Sequence, residues 1–225
     1  MSIPTEENFL SDVSKHSMKV LHDDGLYRHL NFSNNGSFNQ QFDIITFPGY
    51  LVYSGDMGCY TFKRLEDMFG FFRHGQRGST LSINPGYWEE KLQSFDRDGS
   101  KEYSPKKFKD MVEEHINEWI EEFEGEYDSS EEELEKQRAE FATQLRDVVE
   151  DCIISYADDS EYKVHEALRD FSFDYEDKFI KRQKYEFSDT WEWDLKDYTY
   201  RYIWCCYAIV YAIQLYDAFN QKETR

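Results

Sequence analysis

The sequence predicts an α+β fold: a small N-terminal antiparallel sheet with helices, followed by an acidic, mostly helical half. Three observations carry this expectation. Between residues 28 and 62 the runs RHLNF, FDIITF, YLVYS and CYTF alternate with NNGS, PG and GDMG, which is β-prone chain punctuated by turn signals. From residue 104 onward, apolar residues recur at steps of three and four, the period of a helix with one buried face. Aromatic residues make up 18% of the chain, too large a share for a disordered acidic tail.

Each element follows from local signals. Thr5–Leu21 reads as a short amphipathic helix with Phe9, Val13, Val20 and Leu21 inward. The four β-prone runs make a meander of three or four strands, and RLEDMFGFFR closes it as a short helix. Asn84-Pro85-Gly86 starts another helix, expected to run through Trp88, Leu92 and Phe95.

Ser104 caps the first long helix, with Pro105 at its first position. Its stripe is Phe108, Met111, Val112, Ile116, Trp119, Ile120 and Phe123, and Gly125 ends it. Ser129 or Ser130 caps the second, with Glu131, Glu132 and Glu133 in the first turn, where the helix dipole favours carboxylates. Leu134, Phe141, Leu145, Val148, Val149, Cys152 and Ile153 form its stripe. A shorter helix surrounds Val164–Leu168, and an aromatic helix runs from about Leu195 to Asn220.

At 225 residues the chain can bury a real core. The expected division is an α+β part over residues 1–100 and an acidic helical part over 101–225, integrated as one domain. Tyr198–Tyr216 is apolar but carries Arg201, Gln214 and many Tyr hydroxyls, so it reads as a buried core helix rather than a membrane span. The N-terminus shows no basic start followed by an apolar run, the pattern of a secretory signal. Cys59, Cys152, Cys205 and Cys206 have no CxxC spacing and read as reduced, packing thiols, which points to a reducing cytoplasm.

Motifs for chemistry are weak. Asp96-Arg97-Asp98-Gly99-Ser100-Lys101 starts like a calcium loop, but Lys101 stands where the turn glycine belongs and Lys107 where the closing Glu belongs. The six histidines (16, 22, 29, 74, 115 and 165) show no metal spacing; His22-Asp23-Asp24 has the side chains to bind a metal but reads better as a polar turn ending a helix, and His115 as a packed boundary residue. No Walker loop, dinucleotide fingerprint or nucleophile elbow occurs. No catalytic residue, metal ligand or cofactor is therefore expected. The basic cluster Arg73-His74-Gly75-Gln76-Arg77 is too small to make a direct nucleic-acid binder of a chain with net charge −20.

That charge is concentrated. Residues 110–177 hold 25 Asp and Glu against 5 Lys and Arg, so this stretch carries the whole net charge and the remainder sums to zero. The candidate partner-binding residues are Glu114, Glu118, Glu121, Glu122, Glu124, Glu131, Glu132 and Glu135. Carboxylates three or four residues apart rise roughly 4.5–6 Å along a helix, a spacing broadly like that of successive phosphates on one strand. Such a row either mimics nucleic acid before a basic groove or simply solvates a helix face.

The run FDIITFPGYLVYSGDMGCYTFKRLEDMFGFFR (Phe42–Arg73) resembles a segment of small bacteriophage and prophage proteins: a strand ending in Pro-Gly, a second strand, Gly-Asp-Met-Gly, a third strand, then Arg-Leu-x-Asp-Met-Phe. The resemblance implies a mobile-element origin and action in the host bacterial cytoplasm. With the acidic helices it yields the functional expectation: a non-enzymatic counter-defence inhibitor, of the anti-CRISPR or anti-restriction type, that binds a host defence complex through a DNA-mimicking surface without touching nucleic acid or membrane. The alternative is a structural or assembly protein forming a homo-oligomer.

Overall fold

The computed structural model describes residues 3–73, 80–125, 129–176 and 182–223. In chain order the elements are α1 (Glu6–Asp12), β1 (Ser17–Asp24), β2 (Tyr27–Ser33), β3 (Phe42–Phe47), β4 (Tyr50–Gly55), β5 (Gly58–Lys63), α2 (Met68–Arg73), α3 (Pro85–Glu89), β6 (Leu92–Ser94) and β7 (Lys101–Tyr103). There follow α4 (Pro105–Glu121), α5 (Glu131–Cys152), α6 (Glu161–Asp170), β8 (Phe173–Tyr175), β9 (Gln183–Tyr185), β10 (Lys196–Tyr198) and α7 (Tyr200–Glu223). They form two compact units, one of Met1–Glu102 with Tyr198–Arg225, the other of Tyr103–Asp197.

The α+β class is as expected, but the sheet of the first unit has six strands, in the order β1-β2-β3-β4-β5-β6, all antiparallel. The two strands beyond the expected three or four come from chain read as helix. The capping box of Thr5 and Asn8 starts α1, which stops at Asp12. Ser17–Asp24 then alternates as an edge strand whose Leu21 is exposed, not inward. Likewise α3 ends at Glu89, and Leu92 pairs with Phe62 as part of β6. The Gly55–Gly58 turn is the hairpin the sequence indicated, and its glycine is obligatory: a Cβ at Gly55 would lie 2.3 Å from the Gln41 carbonyl oxygen.

One face of the sheet carries Leu30, Phe32, Phe42, Ile44, Leu51, Tyr53, Tyr60 and Phe62, all fully buried. Their cover is α7. The side chains of Tyr202 through Cys206 are buried without a break, so no stripe of this helix faces water there. Trp204 sits edge-on to Phe42 at 5.7 Å and to Phe9 of α1 at 4.9 Å, with α7 sandwiched between sheet and α1, and its Nε1 donates to Asp12 Oδ2 at 3.0 Å. By length and composition α7 could cross a bilayer, yet it is the core helix that the Tyr198–Tyr216 reading expected. It begins at Tyr200 rather than Leu195, and it packs with the sheet, so the boundary expected at residue 100 does not separate the last helix from the N-terminal part.

The second unit is built on α4, α5, α6 and the β8–β9 hairpin. Phe108, Val112 and Ile116 of α4 and Phe141, Leu145 and Val149 of α5 are buried as their stripes required. Cys152 is exposed instead, while Cys205 and Cys206 are buried free thiols. Phe123 stacks on Phe141 at 4.6 Å, and Phe141 meets Tyr185 of the hairpin at 4.9 Å. Leu195 belongs to this core rather than to the last helix.

Candidate functional site

The second unit holds 30 Asp and Glu against 13 Lys and Arg, and five of those carboxylates share the outer side of α4. Ser104 starts that helix by accepting from the Lys107 amide. With Phe108, Val112 and Ile116 turned to the core, helical geometry sends Asp110, Glu113, Glu114, Glu118 and Glu121 outward. These five residues and Asn117 line one shallow depression along the helix.

Two of its carboxylates are neutralised within the unit. Lys106 Nζ donates to Asp110 Oδ2 at 2.6 Å, and Arg146 of α5 donates to both oxygens of Glu113. Among the described residues no Lys or Arg forms an ion pair with Glu114, Glu118 or Glu121. Their separations along the helix are about 6 and 4.5 Å by residue rise. Glu122 and Glu124 are exposed beyond the depression, where α4 gives way to Gly125. A Cβ on Gly125 would press into Gln137 Oε1 at 2.4 Å and Leu134 Cδ1 at 2.6 Å, so the helix end lies tight against α5.

Glu131, Glu132 and Glu135 occupy the first turns of α5 and are likewise exposed. Their neighbour Glu133 has a different task. Its carboxylate accepts the Ser130 amide at 3.0 Å and closes a capping box, and that amide, with the Ser130 hydroxyl, holds the Glu133 carboxyl below its ordinary range. The structure thus groups Glu114, Glu118 and Glu121 and leaves the other five nominated residues outside their depression. It also adds Asp110 and Glu113, which the list of candidates lacked although the i, i+3 and i+4 spacing identifies both.

The other motifs are absorbed by packing. His22-Asp23-Asp24 lies on β1 and ends no helix. His115 donates from Nδ1 to the Met111 carbonyl and packs 4.6 Å from the Trp193 ring, at the boundary of the core. In the 96–101 loop, Ser100 Oγ donates to Glu89 and Asp96 pairs with Arg201. Arg73 Nε donates to Asp217 Oδ2 at 2.8 Å, and the rest of its cluster, 74–77, lies outside the described residues.

Of the segment Phe42–Arg73, Ile44, Leu51, Tyr53, Tyr60, Phe62, Met68, Phe69 and Phe72 are buried and build the first unit's core, whereas Leu65 is exposed. No protein-family model, curated protein or solved structure matches the chain.

Proposed function

We propose that the chain is a non-enzymatic, phage-derived counter-defence protein whose acidic unit occupies the basic nucleic-acid groove of a host CRISPR or restriction complex in the bacterial cytoplasm. The observation that carries this reading is the row Glu114, Glu118 and Glu121: exposed, at helical spacing, and with no cation paired to it among the described residues. Like charges at i,i+4 destabilise a helix by a few tenths of a kcal/mol per pair. A partner that supplies the cations turns this cost into affinity, and displaced counterions make that affinity salt-sensitive. The resemblance of residues 42–73 to phage proteins supports the origin, and the packing role of those residues leaves recognition to the acidic helices.

The test is affinity capture from bacterial lysate at low and high salt, with DNA as competitor. A nuclease or CRISPR-type assembly should be captured, released by salt and displaced by DNA. The combined substitutions Glu114→Lys, Glu118→Lys, Glu121→Lys and Glu122→Lys should abolish capture with the circular-dichroism spectrum unchanged. Undiminished capture by that variant would sink the reading.

Self-assembly is the second reading, favoured by exposed rings: Tyr162 is 71% and Trp191 75% accessible, both in the acidic unit. Concentration-dependent sedimentation that ignores salt would select it.

A further inference from the structure

His22 lies on β1, the edge strand of the sheet. The antiparallel register sets it directly opposite His29 of β2, just past the register shift between Val20 and His22. Residues opposite one another in such a pair project from the same face, with Cβ atoms roughly 5 Å apart. That face is the one turned away from α7: Arg28 and Leu30, on either side of His29, are buried, while His22 is exposed and His29 half-buried.

Asp43 on β3 completes the arrangement. Its Oδ1 lies 2.9 Å from His29 Nε2 and 3.1 Å from Asn31 Nδ2, and its Oδ2 accepts from Gln41 Nε2 at 2.9 Å. A carboxylate oxygen only accepts, so His29 Nε2 is the donor in that bond and Nδ1 is the ring nitrogen left for a further ligand. A carboxylate on one ring nitrogen, with the other nitrogen available, is how proteins orient a metal-binding imidazole.

We propose that His22 and His29 bind a divalent transition-metal ion of the nickel or zinc class, with Asp43 as the residue that positions His29. Imidazole nitrogen suits these ions, whereas Mg2+ takes oxygen ligands. Among the described residues no group of three or more His, Cys, Asp or Glu is placed around one point, so two imidazoles are the protein's ligands and water completes the shell. The bound ion ties the edge strand to β2 across the irregularity in their register.

The experiment is calorimetric titration of the full chain with NiCl2 in excess MgCl2, which occupies the acidic surface without competing for imidazole. One Ni2+ per chain should bind, and His22→Ala or His29→Ala should each weaken binding at least about tenfold, since half the ligand set is gone. His22 is exposed and His29 half-buried, so neither truncation opens the apolar core, and unchanged circular dichroism verifies that the fold persists. Asp43→Asn should lower affinity about tenfold while the stoichiometry stays at one, a split that loss of the fold would not produce. Paramagnetic broadening of amide signals should centre on the β1–β2 pair. Equal Ni2+ binding by the wild type and His22→Ala, or broadening centred on α4, would overturn the proposal.

Discussion

Arg146 Nη1 lies 2.7 and 2.8 Å from the two carboxylate oxygens of Glu113, and its Nη2 donates to Asn117 Oδ1 at 2.7 Å. The guanidinium thereby bridges α5 to the outer side of α4. The side chains are 43% and 51% accessible, so solvent screens most of the attraction. Arg146→Ala should cost about 0.5–1 kcal/mol in urea unfolding at moderate salt. The cost should grow at low salt, because Glu113 then joins the uncompensated row.

Self-repulsion sets a second expectation. Screening length falls from about 30 Å at 0.01 M salt to about 10 Å at 0.1 M, so added NaCl should raise the melting temperature of the acidic unit. The Glu114, Glu118, Glu121 and Glu122 charge-reversal variant should show a smaller rise. An equal rise in both would place the repulsion elsewhere.

Alkaline pH should unfold the chain for an identifiable reason. Burial first, then the nearby carboxylates of Asp158 and Glu161, push Tyr103 up to about 12. Burial, with the thiols of Cys205 and Cys206 nearby, raises Tyr60 and Tyr202 as well. A raised phenol is neutral in the fold, so its contribution is intact below the unfolded value of about 10 and disappears as pH climbs through the folded value. Phenolate absorbance should therefore develop in two stages, the second coinciding with loss of circular dichroism. A single transition with the fold intact would contradict this.

In the first unit, Arg28 is a charge buried on the core side of β2. Its Nη1 donates to Asp67 Oδ1 at 2.9 Å, and its guanidinium lies 4.6 Å from the Phe69 ring centre. Burial is the largest single influence and opposes the charge, but the hydrogen bonds and attraction of Asp67 and Tyr216 together outweigh it and hold the pKa above its ordinary value. Arg28→Ala should destabilise by about 1.5–3 kcal/mol, the usual worth of a hydrogen bond to a charged group, because the Asp67 left behind is 36% accessible and partly solvated. Arg28→Met should cost less, since the stem's packing survives and Asp67 keeps the Phe69 amide as a donor. Comparing the two by chemical denaturation separates charge from packing.

Much of this was legible locally, and the failures share a cause. The stripe of α4 and the cap at Ser130 are short-range patterns, and both sit where the spacing put them. Ser14 through Leu21 contains no Gly or Pro to mark the end of a helix, and Val20 suits a helix face as well as a strand. Only pairing with Leu30, across the hairpin, makes it a strand residue. The partner of α7 was equally hidden, because a helix that reads as buried core says that it is covered without saying by what. Among the acidic residues, exposure was readable from periodicity. The capture of Glu113 by Arg146, 33 positions away, was not.

The sheet's cover arrives late in synthesis. A ribosome releases β1 through β6 and then the whole of Tyr103–Asp197 before Trp204 emerges. Until then Phe42, Ile44, Tyr53 and Tyr60 form a sticky apolar face on a nascent chain, the situation in which aggregation begins. The segment that emerges in the interval is contiguous, has its own core and carries most of the negative charge. Its charge repels other nascent chains at the stage when the sheet is still open. When α7 follows, the Thr199 amide reaches the Ser100 carbonyl at 2.9 Å, so the strand of chain that left the first unit and the one that returns are pinned side by side. The chain thus brings out its charge before it closes its core: the acidic stretch has left the ribosome while the sheet still waits for its helix.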